Sequence, residues 1–340
     1  MADLHDRFLG CLAGLVLGDA LGMPVEFLTP EQILENYGRI NGIVQALDWH
    51  PHHCFKAGSV SDDTWQALAV AHAYSDAGDL SAESVSNELI KWFDRTPREE
   101  LEVLIGPSTR KALEAIKNGS SVYEAGAQGT TNGAAMRVPP VGLVNMGNFE
   151  AILADVIQAS LPTHGTAIAI SGGAAVAFAV AQALLPHATL PEILDAGKEG
   201  AVQGSATGQW HWRTPLEGRI ELALKIVDWA ENEKTALSDL YRYVGVDMLV
   251  AESVATAFGL VKLAQGDPMK AIEYGVNLGG DADTIAAIAG AICGAWKGSS
   301  VINHSLLSTI EITNGLNLSW EAQRLFDIMR QKSAQGWIVK

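Results

Sequence analysis

Between Gly275 and Trp296 the only charged residues are Asp281 and Asp283, set among Gly, Ala, Ile and Val. A buried carboxylate without a partner is costly, so such groups are paired or bound to a metal. A second stretch, "GSVSDDTWQALAVA" at 58–71, carries only Asp62 and Asp63, again at the head of an Ala-rich apolar run. Whatever fold the chain adopts must satisfy both pairs. If one centre serves them, both ends of the chain must close on each other.

The surrounding pattern is helical. Apolar residues recur at helix spacing over 4–21, 62–77, 81–95, 108–118, 150–161, 165–185, 217–232, 250–265, 268–276 and 283–297, with Gly and Pro clusters between them. Alternating strand-type runs are scarce. The runs at 165–183 and 284–295 are rich in Ala and Gly, and small residues let helix axes approach closely. The expectation is an all-α, compact multi-helix bundle, with residues 1–340 as a single domain. Residues 198–216, "KEGAVQGSATGQWHWRTPL", read as a surface loop or insertion.

With 48% hydrophobic residues in 340, a large core is available. The formal net charge of −16 repels nucleic acid and anionic membrane, so neither is expected as a partner. Cys11, Cys54 and Cys293 lack metal or redox spacing, which fits a reducing, cytoplasmic setting. The apolar N-terminal run is interrupted at Asp19 and reads as a core helix rather than a leader or membrane span. A monomer is expected.

Each acidic pair sits beside hydroxyls at an expected helix start, as Ser61-Asp62-Asp63-Thr64 and Asp281-Ala282-Asp283-Thr284. Ser, Thr and Asp also cap helices by accepting orphan amide hydrogens, and either segment alone is explained that way. Four acids in apolar surroundings are better explained by hard cations, which take oxygen ligands. Two Mg²⁺ or Mn²⁺ ions about 3.5–4 Å apart would suit this donor set.

Taken in order, four blocks resemble the ADP-ribosylglycohydrolase family, the dinitrogenase-reductase-activating glycohydrolase and its relatives. They are "GCLAGLVLGDALGMPVEF" (10–27), "GSVSDDTWQALA" (58–69), "GTTNGAAMRVPPVGL" (129–143) and "NLGGDADTIAAIAGAICGAWKG" (277–298), with "THG" at 163–165. The resemblance implies that family's orthogonal all-α bundle and a binuclear Mg²⁺ or Mn²⁺ centre. By motif matching its ligands are Ser61, Asp62, Asp63, Asp281, Asp283 and Thr284. The family's glutamate falls on Glu26, here grouped with Asp63 as catalytic. Its ADP-ribose loop falls on Asn132 and Gly133, and its substrate-side histidine on His164. Relatives commonly carry glycine where this chain has Thr131. A β-branched residue keeps backbone and diphosphate farther apart, which leaves room for a smaller N-riboside substrate.

Glu26 follows "GMP", a turn that ends the first helix, and is expected as a general base or ribose ligand. Asp19 is expected to bond neighbouring helix ends, and Arg137 to be a structural ion-pair partner. "HPHHC" at 50–54 is too crowded for a four-coordinate zinc site and reads as a loop. "QWHW" at 209–212 is expected to pack, form an interface or stack on a base. The reading is therefore metal-dependent hydrolysis of an N-glycosidic bond to ribose, the substrate an ADP-ribosylated protein or a small riboside such as a nucleoside. The alternative of another class is a catalytically silent ADP-ribose or nucleotide binder.

Overall fold

The computed structural model describes residues 3–212 and 214–334. Among them are eighteen α-helices and no strand. The ten helix-spaced runs all appear as helices, including α1 (Leu4–Gly22), α3 (Asp62–Ala73), α10 (Ala167–Ala183), α15 (Pro268–Leu278) and α16 (Ala282–Lys297).

The fold is organised on α1 and α16. Gly10, Gly14, Gly18 and Gly22 recur every fourth residue on one face of α1. A Cβ on Gly14 would lie 2.1 Å from the Gly290 carbonyl oxygen, and one on Gly18 would lie 2.3 Å from the carbonyl carbon of Ala286. A Cβ on Gly22 would lie 2.4 Å from the Asp283 Cα. Partner numbers fall as α1 numbers rise, so the two helices run antiparallel with backbones nearly touching. This register sets the end of α1, with Asp19, beside the start of α16, with Asp283. The apolar run from Leu4 to Val25 is long enough to cross a membrane, yet it is buried inside the protein.

Gly14→Ala tests this contact. On an isolated helix alanine is favoured over glycine by about 1 kcal/mol. Here the methyl has to displace backbone, and overpacking costs roughly 1–3 kcal/mol. Denaturant unfolding should show net destabilisation; a more stable variant would mean the helices are not in close contact.

One expected loop is partly helix. Residues 198–205 belong to α11 (Leu190–Ser205), which packs on α10. Their glycines suggested a loop because sequence alone does not show what faces them. A Cβ on Gly200 would meet the Ala174 carbonyl oxygen at 2.4 Å, and one on Gly197 would meet the Phe258 ring at 2.1 Å. A capping box of Thr189 with Glu192 starts the helix. From Ala206 to Trp212 the chain is irregular, and Arg213 lies outside the described residues. Trp210 and Trp212 are exposed, with the Trp212 ring stacked on His211, while the Gln209 backbone is tied to Gly165 and Ala167.

Candidate active site

The N-termini of α3 and α16 meet at the end of α1, so the positive ends of two helix dipoles face a common point. Capping at α3 is shared between the N-cap Ser61 and Asp19, which comes from another helix. Its Oδ1 accepts from the Ser61 amide at 2.8 Å, and its Oδ2 from the Thr64 amide at 3.0 Å and the Thr64 hydroxyl. The Ser61 hydroxyl accepts from the Asp63 amide at 3.2 Å. Asp281 occupies the N-cap position of α16 but makes no side-chain capping bond. Capping therefore leaves Asp62, Asp63 and Asp281 unexplained.

These acids converge. Asp19, Asp63 and Asp283 each place a carboxylate oxygen within 4.8 Å of the others, and Glu26, Asp281 and Asp283 do the same. Asp283 belongs to both groups. Asp63 accepts from the Thr284 hydroxyl at 3.2 Å through Oδ1, while its buried Oδ2 has no partner. Gln66 donates to Asp62, and Asn132 donates to Asp281.

Burial raises the affinity of all six carboxyls for protons, and the charge of Asp283 adds to this for the other five. Asp19 is pushed up to about 6 and Asp62 to about 8, while Glu26, Asp63 and Asp281 stand well above the usual carboxylate range. Asp283 is raised by burial, against the opposing charge of His52. Arg137, fully buried, faces Asp62 and Asp63 and is itself lowered to about 10 by burial. Six acids against so little positive charge need either protons or cations. The residues fit a metal: the donors are hard oxygens, and one buried oxygen awaits a partner.

A cleft of about 270 Å³ opens onto the acids, lined by Glu26, Phe27, Asp62, Asp281, Asp283 and Thr284 on one side. Thr131, Asn132, Gly133 and His164 line it as well, with the apolar lip Val103–Pro107. A larger groove of about 490 Å³ lies elsewhere, and its only carboxylate is Glu273.

The loop before α7 (Gly133–Arg137) wraps His164 closely. A Cβ on Gly133 would lie 2.5 Å from the His164 ring, which explains the glycine in Asn-Gly. Burial and the nearby Arg137 charge hold the imidazole well below its usual range, so it is neutral. Arg137 can only donate, so His164 Nδ1, 3.5 Å from its guanidinium, is the acceptor. Nε2 then carries the proton and donates to the Thr131 hydroxyl at 2.8 Å. The Asn132 amide is engaged by Ser253 and Asp281, so its hydrogen bonds orient an acid of the cluster.

Arg137 departs from expectation. Among the described residues it makes no close ion pair; it donates to Thr163 at 2.7 Å and reaches the acids only through space. The helix that carries it aims its guanidinium at the 163–164 turn, so distant charge and close hydrogen bonds have different partners.

The sequence profile of the ADP-ribosylglycohydrolase family matches residues 1–334. The chain belongs to the ADP-ribosylglycohydrolase family. The glycohydrolase is 34% identical to uncharacterized protein YegU of Escherichia coli K12, over 97% of this chain and 99% of that one. It is 26% identical to the ADP-ribosyl-[dinitrogen reductase] glycohydrolase of Rhodospirillum rubrum, over 91% and 92% of the two chains. A solved ADP-ribosylglycohydrolase-related protein complex shares the fold, with a TM-score of 0.70 at 24% identity, covering 97% of this chain and all of that one. The glycohydrolase is thus a hydrolase acting on ADP-ribosyl glycosidic bonds, on an all-α fold.

Sequence reasoning passed over two features of this glycohydrolase's site. Phe27, directly after Glu26, has φ 65°, a left-handed conformation unusual for a bulky residue and costing about 1–3 kcal/mol. Its amide donates to Gly280 at 2.7 Å, and the Gly280 amide donates back to Leu28 at 2.9 Å, which locks the Glu26 segment to the start of α16. The "HPHHC" loop buries His50 and His52 against that segment. Two histidines with no metal-ligand spacing, in a chain with a lone motif glutamate, were the available signal.

Proposed function

We propose that this glycohydrolase removes ADP-ribose from a protein side chain, using divalent cations held by Asp63, Asp281 and Asp283 with Ser61, Asp62 and Thr284. The observation that carries this is the convergence of two carboxylate groups on Asp283 at the floor of the cleft. Two Mg²⁺ or Mn²⁺ ions would supply positive charge that holds ribose hydroxyls and acidifies water.

The chain's own residues do the rest. Water oxygen adds to the anomeric carbon, the bond to the leaving nitrogen breaks, and one proton moves from the water to that nitrogen. Glu26, at the cleft wall beside the acids, is placed to accept the water's proton. Asn132 holds Asp281 in orientation. The lip from Val103 to Pro107 keeps bulk water from the reacting carbon. The test is to incubate the protein, with Mn²⁺ or Mg²⁺ and after chelation, with ADP-ribosylated protein, ADP-ribosylarginine and nucleosides, following free ribose species. Metal-dependent release of ADP-ribose supports the proposal; none from any ADP-ribosyl substrate sinks it.

A smaller N-riboside is favoured by one observation. The cleft of about 270 Å³ lies just under the usual ligand-pocket range of about 300–1,000 Å³, and Thr131 stands in it, held by His164. If Thr131 narrows the diphosphate path, Thr131→Gly should tighten ADP-ribose binding more than nucleoside binding in calorimetry. Unchanged or weaker ADP-ribose affinity would show that Thr131 does not discriminate.

A further inference from the structure

His52 lies outside every motif that marks the site, yet it is buried beside the residue on which the chemistry depends. Its Nδ1 is 2.9 Å from the Met23 carbonyl oxygen, in the turn that follows α1. Its Nε2 is 3.0 Å from the Val103 carbonyl oxygen, on the lip of the cleft, and 3.5 Å from Glu26 Oε2. One imidazole therefore ties the turn before Glu26 to the lip at Val103 and stands beside the carboxylate itself. His50 completes the brace. Its Nε2 lies 2.6 Å from the Glu26 carbonyl oxygen, and its Nδ1 accepts from the His52 amide at 3.1 Å. The two rings meet edge to face at 5.2 Å. Among the described residues, His52 is the only basic side chain within 4.0 Å of the Glu26 carboxylate.

We infer that His52 is a positioning residue that aims the Glu26 carboxylate into the cleft. This rests on the proposed role of Glu26 in turnover. A carboxylate released from such a brace explores rotamers that face away from the reacting carbon, and displacement of a reacting group by about 1 Å can cost about 10²-fold in rate. A positioning residue acts on rate through its partner alone. A general packing defect would act whatever stands at position 26.

The experiment is a double-mutant cycle of His52→Ala and Glu26→Gln on the full chain, with ADP-ribosylarginine and Mn²⁺ as probes. We expect His52→Ala to lower kcat by roughly 10–100-fold, with KM and calorimetric Mn²⁺ affinity within about twofold of the parent. In the Glu26→Gln background the same change should alter kcat by less than about twofold, because the group it aims is already disabled. His52→Gln, which keeps one side-chain N–H donor, should fall between; it carries the comparison if His52→Ala does not fold. An equal loss in both backgrounds, or no loss in either, overturns the inference while leaving Glu26 in its role. If Glu26→Gln alone leaves turnover intact, the role of Glu26 falls and the inference with it.

Discussion

Asp283→Ala should lose divalent-ion binding and turnover together. Asp283 is the one residue shared by both carboxylate groups, so its removal takes a ligand from each. At a metal concentration about 100 times the parent's Kd, bound ions should stabilise the parent by about 2.7 kcal/mol, and this gain should vanish in the variant. The metal-free proteins should show the opposite order. Asp283 is the neighbouring charge that raises Asp19, Glu26, Asp62, Asp63 and Asp281, so its loss relieves repulsion. A carboxyl raised on folding keeps its proton longer in the folded than in the unfolded chain. Stability of the metal-free parent therefore falls as pH rises from about 3.9, the unfolded aspartate value, through about 8, where Asp62 titrates. Across that window the metal-free variant should gain on the metal-free parent. Calorimetry and thermal melts with and without Mn²⁺ check both halves. Retained ion binding would sink the metal assignment and return these acids to helix capping.

Glu26→Gln should keep the fold and the ions while lowering kcat by roughly 10²–10⁴-fold, the usual worth of a positioned proton-transfer group. Glutamine preserves the side chain's length and most of its hydrogen-bonding shape. It removes only the charge and the basicity. Burial and the charges of Asp283, Asp281, Asp62 and Asp63 all raise the carboxyl's proton affinity, so Glu26 takes up a proton more readily than an exposed glutamate would. Steady-state kinetics together with Mn²⁺ calorimetry on the same preparation is the measurement. Near-normal turnover with ions in place would leave Glu26 as a wall of the cleft.

Much of this was legible without coordinates. Helix spacing placed ten runs that the structure keeps as helices, because a helix burying one face must repeat its apolar residues near every 3.6 positions. The acids at 62, 63, 281 and 283 announced themselves as charges in otherwise apolar stretches, which need a reason to exist. Glu26, Asn132 and His164 came from motif order, and the structure gathers them around one cleft.

Other features depend on which residue faces which, and local patterns do not encode that. Gly197 and Gly200 look like loop residues until α10 and Phe258 are seen pressed against them. Asp19 was expected to bond a helix end, but only the antiparallel register of α1 and α16 brings it to α3. Arg137 was expected in an ion pair, and folding aims it instead at Thr163 and His164. His50 and His52 reach the Glu26 segment only because their loop folds back over the turn at Met23. By itself, then, the sequence determined ten of the helical segments and which charges must meet. Tertiary structure decided their partners, because a hydrogen bond or a backbone contact is set by ångström-scale distances between residues that the chain order keeps far apart.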